Sequence, residues 1–200
     1  MAWIETIPFA EASGRLKKLY DRVKGPGDRV DNIMMAHSLR PHTMEGHMSL
    51  YKNVLHHTSN SVAKWRLELI GVWVSLLNGC SYCVEHHFRG LCRALKDEGR
   101  GEAMRKALEK RDFSYFSAPE RALLAYAEKL TITPASVREA DIDAMRDAGF
   151  SDGEVLEANQ VVAYFGYANR TVLGLGVSAK GDILGLSPRD SDNSRDWNHG

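Results

Sequence analysis

From Val62 to Leu77 the chain carries apolar residues on two helical stripes. Val62, Trp65, Leu69, Val72 and Leu76 form one, and Ile70, Val74 and Leu77 form the other. A helix that is apolar on two sides has to be wrapped by its neighbours, so this run predicts a central helix in a helical core. Lys64, Glu68, Gly71 and Ser75 occupy the narrow polar strip that remains. Asn78-Gly79 stops the run, with Gly79 suited to the left-handed position after a helix end. Val84, Phe88, Leu91 and Leu95 then predict a second helix over residues 81–96.

The rest of the chain reads as further helices. Ala12, Leu16, Leu19 and Val23 mark a short one that Gly25-Pro26-Gly27 ends. A second segment begins near Val30, and Ser38-Leu39-Arg40-Pro41 forces a boundary. Met44, Met48, Tyr51 and Leu55 predict a helix over residues 43–56, with His56-His57 at its negative end. Thr58-Ser59-Asn60-Ser61 supplies N-cap residues for the central helix. Gly99-Arg100-Gly101 reads as the stop after residues 81–96, and residues 102–112 as a charged, solvated helix.

Ser117-Ala118-Pro119-Glu120 and Ser151-Asp152-Gly153-Glu154 are capping boxes, each opening a helix. Between those two helices, Ile142 and Met145 mark a short one that Gly149 terminates. No set of alternating strands is visible. The expected fold class is therefore all-α, a single domain of about eight helices over residues 1–184. Residues 185–200 are polar and read as a tail, either disordered or docked on another subunit. Helix pairs of similar length in 43–95 and 118–177 suggest a duplicated helical unit.

Charge narrows the partners. There are 26 acidic and 26 basic side chains among 200 residues and no basic block, which argues against nucleic acid and anionic membranes. No apolar run reaches the ~20 residues needed to span a bilayer. Met1-Ala2-Trp3-Ile4-Glu5 lacks a basic region followed by an apolar core, so a cytoplasmic location is expected. In a reducing compartment a close cysteine pair is more often catalytic or metal-binding than structural.

That pair is Cys80 and Cys83, at the mouth of the second helix. Free N–H groups and the positive helix end favour thiolate there, and helix position alone favours Cys80. His87 lies four residues beyond Cys83 on the same face. Cys92 points to the opposite side and reads as a small buried hydrophobe. In one unbroken helix Glu68 would lie about 18 Å from Cys80. If Asn78-Gly79 folds the two helices into an antiparallel hairpin, Glu68 comes level with His87 to within about one turn, in reach for triad-like chemistry.

Plainer readings stand beside this one. Glu68 pairs with Lys64 on a solvated strip. The cysteines are half a zinc site, with His87 as third ligand and His86, His57 or a carboxylate as fourth. They are also read as structural thiols without chemistry. His37, His42, His47 and His57 line either a pocket or the surface.

Glu68 followed by Cys80-x-x-Cys83-x-x-x-His87 resembles the signature of the alkyl hydroperoxidase D family, which belongs with the carboxymuconolactone decarboxylases. His37-Ser38-Leu39-Arg40-Pro41, Leu50-Tyr51, the Ser-Ala-Pro-Glu opening and Asn169-Arg170 resemble its peroxidase-related branch, over roughly residues 5–180. The resemblance implies an all-helical bundle, a homo-oligomer (trimer or hexamer) and thiol peroxidase chemistry without haem, metal or other cofactor. It implies Cys83 as the peroxidatic thiol, Cys80 as the resolving thiol, and Glu68 with His87 as the proton relay. The implied partners are a hydroperoxide substrate and a dithiol reductant, lipoyl-bearing or thioredoxin-like. Tyr82 departs from the pattern, since the best-studied type carries a second histidine there. The alternatives are a non-catalytic redox sensor or thiol-disulfide assembly module, and a decarboxylase-like relative, against which both thiols argue.

Overall fold

The computed structural model describes residues 2–199, and the fold is all-α. Its helices among the described residues are α1 (Gly14–Val23), α2 (Asn32–Met35), α3 (Pro41–Leu55), α4 (Lys64–Leu77), α5 (Ser81–Leu95), α6 (Glu98–Lys110), α7 (Ala118–Ile132), α8 (Glu139–Asp147) and α9 (Asp152–Leu175). The chain divides into two compact units: residues 2–59 with 170–199, and residues 60–169.

In the first unit α1 buries Leu16, Leu19, Tyr20 and Val23, and α3 buries Met44, Met48, Tyr51 and Leu55. The tail packs into this same unit instead of standing free. Asn32 Nδ2 donates to the carbonyls of Ser178 and Lys180 at 2.7 and 3.0 Å. Lys52, fully buried on α3, donates to the Arg189 carbonyl and to Ser191 Oγ. Trp197 is buried beneath the Arg22 guanidinium, 3.6 Å from its ring. His56 does not cap α3 in solvent: it is buried and bonds Asp190 at 2.9 Å. A polar sequence conceals this, because the tail is held by polar side chains such as Lys52, His56 and Asn32 meeting its carbonyls and carboxylate, not by an apolar stripe.

In the second unit α4 is central, as its two stripes predict. Leu69, Ile70, Val72, Trp73 and Val74 are all buried, and Trp73 Nε1 donates to the Leu124 carbonyl of α7 at 3.2 Å. Helix α4 starts at Lys64, later than the Thr58–Ser61 cap residues imply, and its N-cap Ala63 has no capping side chain. The Ser61 and Val62 amides leading into it go instead to the Glu157 carboxylate of α9, at 2.8–3.0 Å. Helix α6 also begins earlier than its charge pattern suggests. Helix α5 ends at Leu95 with Lys96 left-handed, Asp97 caps α6, and Gly99 and Gly101 lie inside α6. A Cβ on Gly101 would lie 2.5 Å from Cys92 Sγ. The glycine is there for close helix contact, not as a stop. Both capping boxes form, and Glu120 also receives Arg66 at 2.7 Å.

Candidate active site

The hairpin of α4 and α5 builds the site. Gly79 takes φ +68°, its N–H bonds the Leu76 carbonyl at 3.1 Å, and the Cys80 N–H bonds the Ser75 carbonyl at 2.9 Å. These are the two bonds of a Schellman motif, so the stop of α4 and the placement of Cys80 are one event. Cys80 is the N-cap of α5, and Cys83 lies in its first turn.

Reversal at Gly79 brings Glu68 to His87. Their Oε2 and Nδ1 are 2.8 Å apart, with the carboxylate almost wholly buried and the imidazole 12% exposed. A carboxylate at Nδ1 puts the proton on that nitrogen and leaves Nε2 as the basic one. Lys64 Nζ lies 3.7 Å from Glu68 Oε1, so the carboxylate serves both partners weighed from sequence. The Phe165 ring of α9 meets His87 edge-on at 4.5 Å and presses on Gly71, where a Cβ would lie 2.3 Å from its tip.

Gly90 of α5 faces the Glu68 carboxylate so closely that a Cβ there would lie 2.8–3.0 Å from it. Gly90→Ala therefore displaces the flexible end of Glu68 and breaks the 2.8 Å bond to His87. The expected outcome is a folded protein whose thiols oxidise about 10²-fold more slowly at pH 7, read by stopped flow, because the general base loses its orienting partner. A wild-type rate would show that the contact is idle.

Cys80 and Cys83 are buried, and both are free thiols. A hydrogen bond between them governs their acidity. It pulls Cys80 below the ordinary thiol value, against burial. It pushes Cys83 well above that value, with burial and the Cys80 charge acting the same way and a hydrogen bond from Asn169 acting against them. The two titrations are coupled: the first proton leaves more readily than from an ordinary thiol and the second less readily. Cys80 is thus the more acidic sulfur of the two, while His87 stands four residues beyond Cys83.

The structure thus gathers Glu68 with His87, and Cys80 with Cys83. Cys92 stays apart, against Gly101. His86 stacks on Tyr82 at 4.5 Å. No three His, Cys, Asp or Glu side chains among the described residues converge so as to hold a metal ion. Sequence reading passed over Gly90, Phe165 and Asn169 as site residues. It did mark Gly71 and Ser75, as part of the polar strip that turns out to face α5 and α9. His37 and His47 are buried in the first unit, 5.2 Å apart, whereas His42 is exposed and His57 half-buried. No helix of the described residues is long and apolar enough to cross a membrane.

No family model matches the sequence, and no curated protein does. Solved structures do. An uncharacterized peroxidase-related protein of Ralstonia eutropha JMP134, described as an alkylhydroperoxidase AhpD core, superposes with a TM-score of 0.79 at 21% identity, over 90% of this chain and 93% of that one. An uncharacterized peroxidase-related protein of Silicibacter sp. TM1040 gives 0.72 at 22% identity, over 90% of each chain. A cysteine-to-alanine variant of the debrominase Bmp8, in complex with 2,3,4-tribromopyrrole, gives 0.70 at 17% identity, over 88% of this chain and 90% of that one. With its hairpin-borne cysteine pair, the chain has the all-helical fold of the alkylhydroperoxidase AhpD core and peroxidase-related proteins.

Proposed function

We propose that the protein is a thiol peroxidase of the peroxidase-related branch of the alkyl hydroperoxidase D family. The observation that carries the reading is the Glu68–His87 pair at 2.8 Å, on the same hairpin as two free thiols hydrogen-bonded to each other. His87, oriented by Glu68, takes a proton from the pair. Cys83 as thiolate attacks the O–O bond of a hydroperoxide. One oxygen passes to sulfur as sulfenic acid, and the other leaves as alkoxide and takes a proton from the His87 imidazolium. Cys80 condenses with the sulfenic acid to give a disulfide and water. A dithiol partner, lipoyl-bearing or thioredoxin-like, restores the thiols by exchange. The reading includes a cytoplasmic homo-oligomer, trimer or hexamer.

Intact mass after stoichiometric hydroperoxide tests it. The wild type is expected to lose two hydrogens, and Cys80→Ser to gain one oxygen on Cys83. Two thiols left untouched by peroxide would sink the reading. A second reading, a redox sensor without turnover, draws on the burial of both sulfurs. Rapid steady-state consumption of peroxide with a dithiol donor excludes it.

A further inference from the structure

Phe165 of α9 is fully buried, and its ring meets the His87 imidazole nearly at right angles, with 4.5 Å between centroids and 86° between planes. That separation is at the near end of the ~4.5–7 Å range of aromatic pairs. The tip of the same ring sits against α4. A Cβ on Gly71 would lie 2.3 and 2.5 Å from Cζ and Cε2 of Phe165, so only a glycine leaves room for it. A glycine inside a helix weakens that helix relative to alanine, so its place there calls for a reason. Gly71 lies three residues after Glu68, a neighbour on the same face of α4. The ring thus enters beside the carboxylate that holds His87 Nδ1 at 2.8 Å. Tyr164 packs edge-on against it at 5.2 Å, so Phe165 is itself braced.

The torsion that swings a histidine ring about its Cβ–Cγ bond is broad and roughly two-fold, so the side chain alone does not fix where its nitrogens point. The bond to Glu68 pins Nδ1 and leaves the ring a pivot. We infer that Phe165 is a positioning residue for His87: its ring, seated in the gap at Gly71, walls in the imidazole and gives Nε2 one direction. Glu68 sets which nitrogen carries the proton, and Phe165 sets where the other one points. A general base works only within hydrogen-bond reach of the proton it takes, so direction counts beside basicity. The consequence for turnover rests on the thiol peroxidase reading; the contact itself does not. The two glycines of the site then have matching uses. Gly90 clears space for Glu68 and Gly71 for Phe165, so both neighbours of His87 are seated where a helix lacks a side chain.

The test is Phe165→Leu, which keeps an apolar side chain in the core and removes the ring. Carbon relaxation at His87 Cε1 reports how far the imidazole swings. Its order parameter is expected to fall from the rigid range to below ~0.6, with the proton still on Nδ1 because Glu68 is intact. Oxidation by hydroperoxide, followed by stopped flow over pH 6–10, is expected to slow about tenfold at pH 7, part of the roughly 10²–10⁴-fold that a placed base supplies. The loss should shrink at high pH, where hydroxide does the work of the base; a structural defect slows the reaction equally at every pH. Gly71→Ala reaches the same contact from the other side by pushing the ring tip. It is expected to slow oxidation in the wild-type background and to have no further effect beside Phe165→Leu. Phe165→Met, flexible enough to fill the same space, stands in if the leucine variant does not fold. An imidazole as ordered as in the wild type, an unchanged rate, or a loss equal at all pH overturns the inference. A loosened His87 in a protein that peroxide does not oxidise upholds the positioning and overturns the peroxidase reading alone.

Discussion

Glu68→Gln is expected to leave a folded protein whose reaction with hydroperoxide is about 10²–10³-fold slower at pH 7. Glutamine keeps the volume of a side chain that is 2% exposed, so the packing of α4 on α5 survives. What changes is the imidazole. The carboxylate enforces the tautomer with the proton on Nδ1 and stabilises the imidazolium formed when His87 takes a proton. An amide offers a donor as well as an acceptor, so neither effect is enforced. The loss of the 3.7 Å contact to Lys64 adds little, because that lysine reaches solvent. The defect should shrink as pH rises, since hydroxide then removes the proton that His87 no longer can. Stopped-flow oxidation across pH 6–10 measures both features. A Gln variant as fast as wild type at pH 7 would remove the relay from the mechanism.

Acid is expected to unfold this protein through the first unit, with His47 as the main cause. His47 is 2% exposed, between His37 and Tyr51. Burial pushes its pKa down to about 3, helped by the positive charge of His37 and His199 when they protonate. Burial lowers His37 as well. In the unfolded chain both titrate near 6.5. The sign follows from where the protons go. Above pH ~6.5 neither state binds them, and the full stability is present. Below that, the unfolded chain takes up protons that folded His47 refuses until pH falls to about 3, so stability drops throughout this window. One such histidine costs about 1.4 kcal/mol per pH unit, hence about 2 kcal/mol between pH 6.5 and 5. In a chain of this size that lowers Tm by about 4–8 °C. His47→Gln should be less stable at pH 7 yet show a flatter decline below pH 6.5. Thermal melts of both proteins from pH 7.5 to 4.5 check this, and parallel slopes would acquit His47.

The two predictions differ in how far the sequence anticipates them. Glu68, Cys80, Cys83 and His87 carry their chemistry in residue type, and their spacing around Asn78-Gly79 translates directly into helix faces. The hairpin was readable because Asn78-Gly79 ends a long apolar helix and the apolar pattern resumes immediately; the structure gives Gly79 φ +68° there. The buried histidines were not readable in that way. His37 lies between α2 and α3 and His47 on α3, while His56 and His199 belong to segments that look solvated. What buries them is the tail, where Lys52 meets Ser191, His56 meets Asp190 and Asp31 meets His199, each pair more than a hundred residues apart in sequence.

Local order also governed where helices begin and end, with exceptions that follow one physical rule. Ser117–Glu120 and Ser151–Glu154 cap their own helices, because a capping box is satisfied within four residues. The lead into α4 borrows Glu157 from α9, and no local pattern reports a cap that arrives from elsewhere. Glycines divide in the same way. Gly79 and Gly149 have positive φ and mark stops that the sequence alone identifies. Gly71, Gly90 and Gly101 are required by Phe165, Glu68 and Cys92 pressing against them.

The sequence by itself determined the helical class, the central helix and the hairpin, and it marked Glu68, Cys80, Cys83 and His87 as candidates, because each rests on periodicity or spacing within one or two turns. Only the tertiary structure decided how Ser75 and Asn78 hold the Asn169 amide, how Gly90 makes room for the Glu68 carboxylate, and why a polar tail is buried. Each of these depends on a partner that is remote in the chain and adjacent in space, so hydrogen-bond direction and steric contact carry information that no local pattern holds.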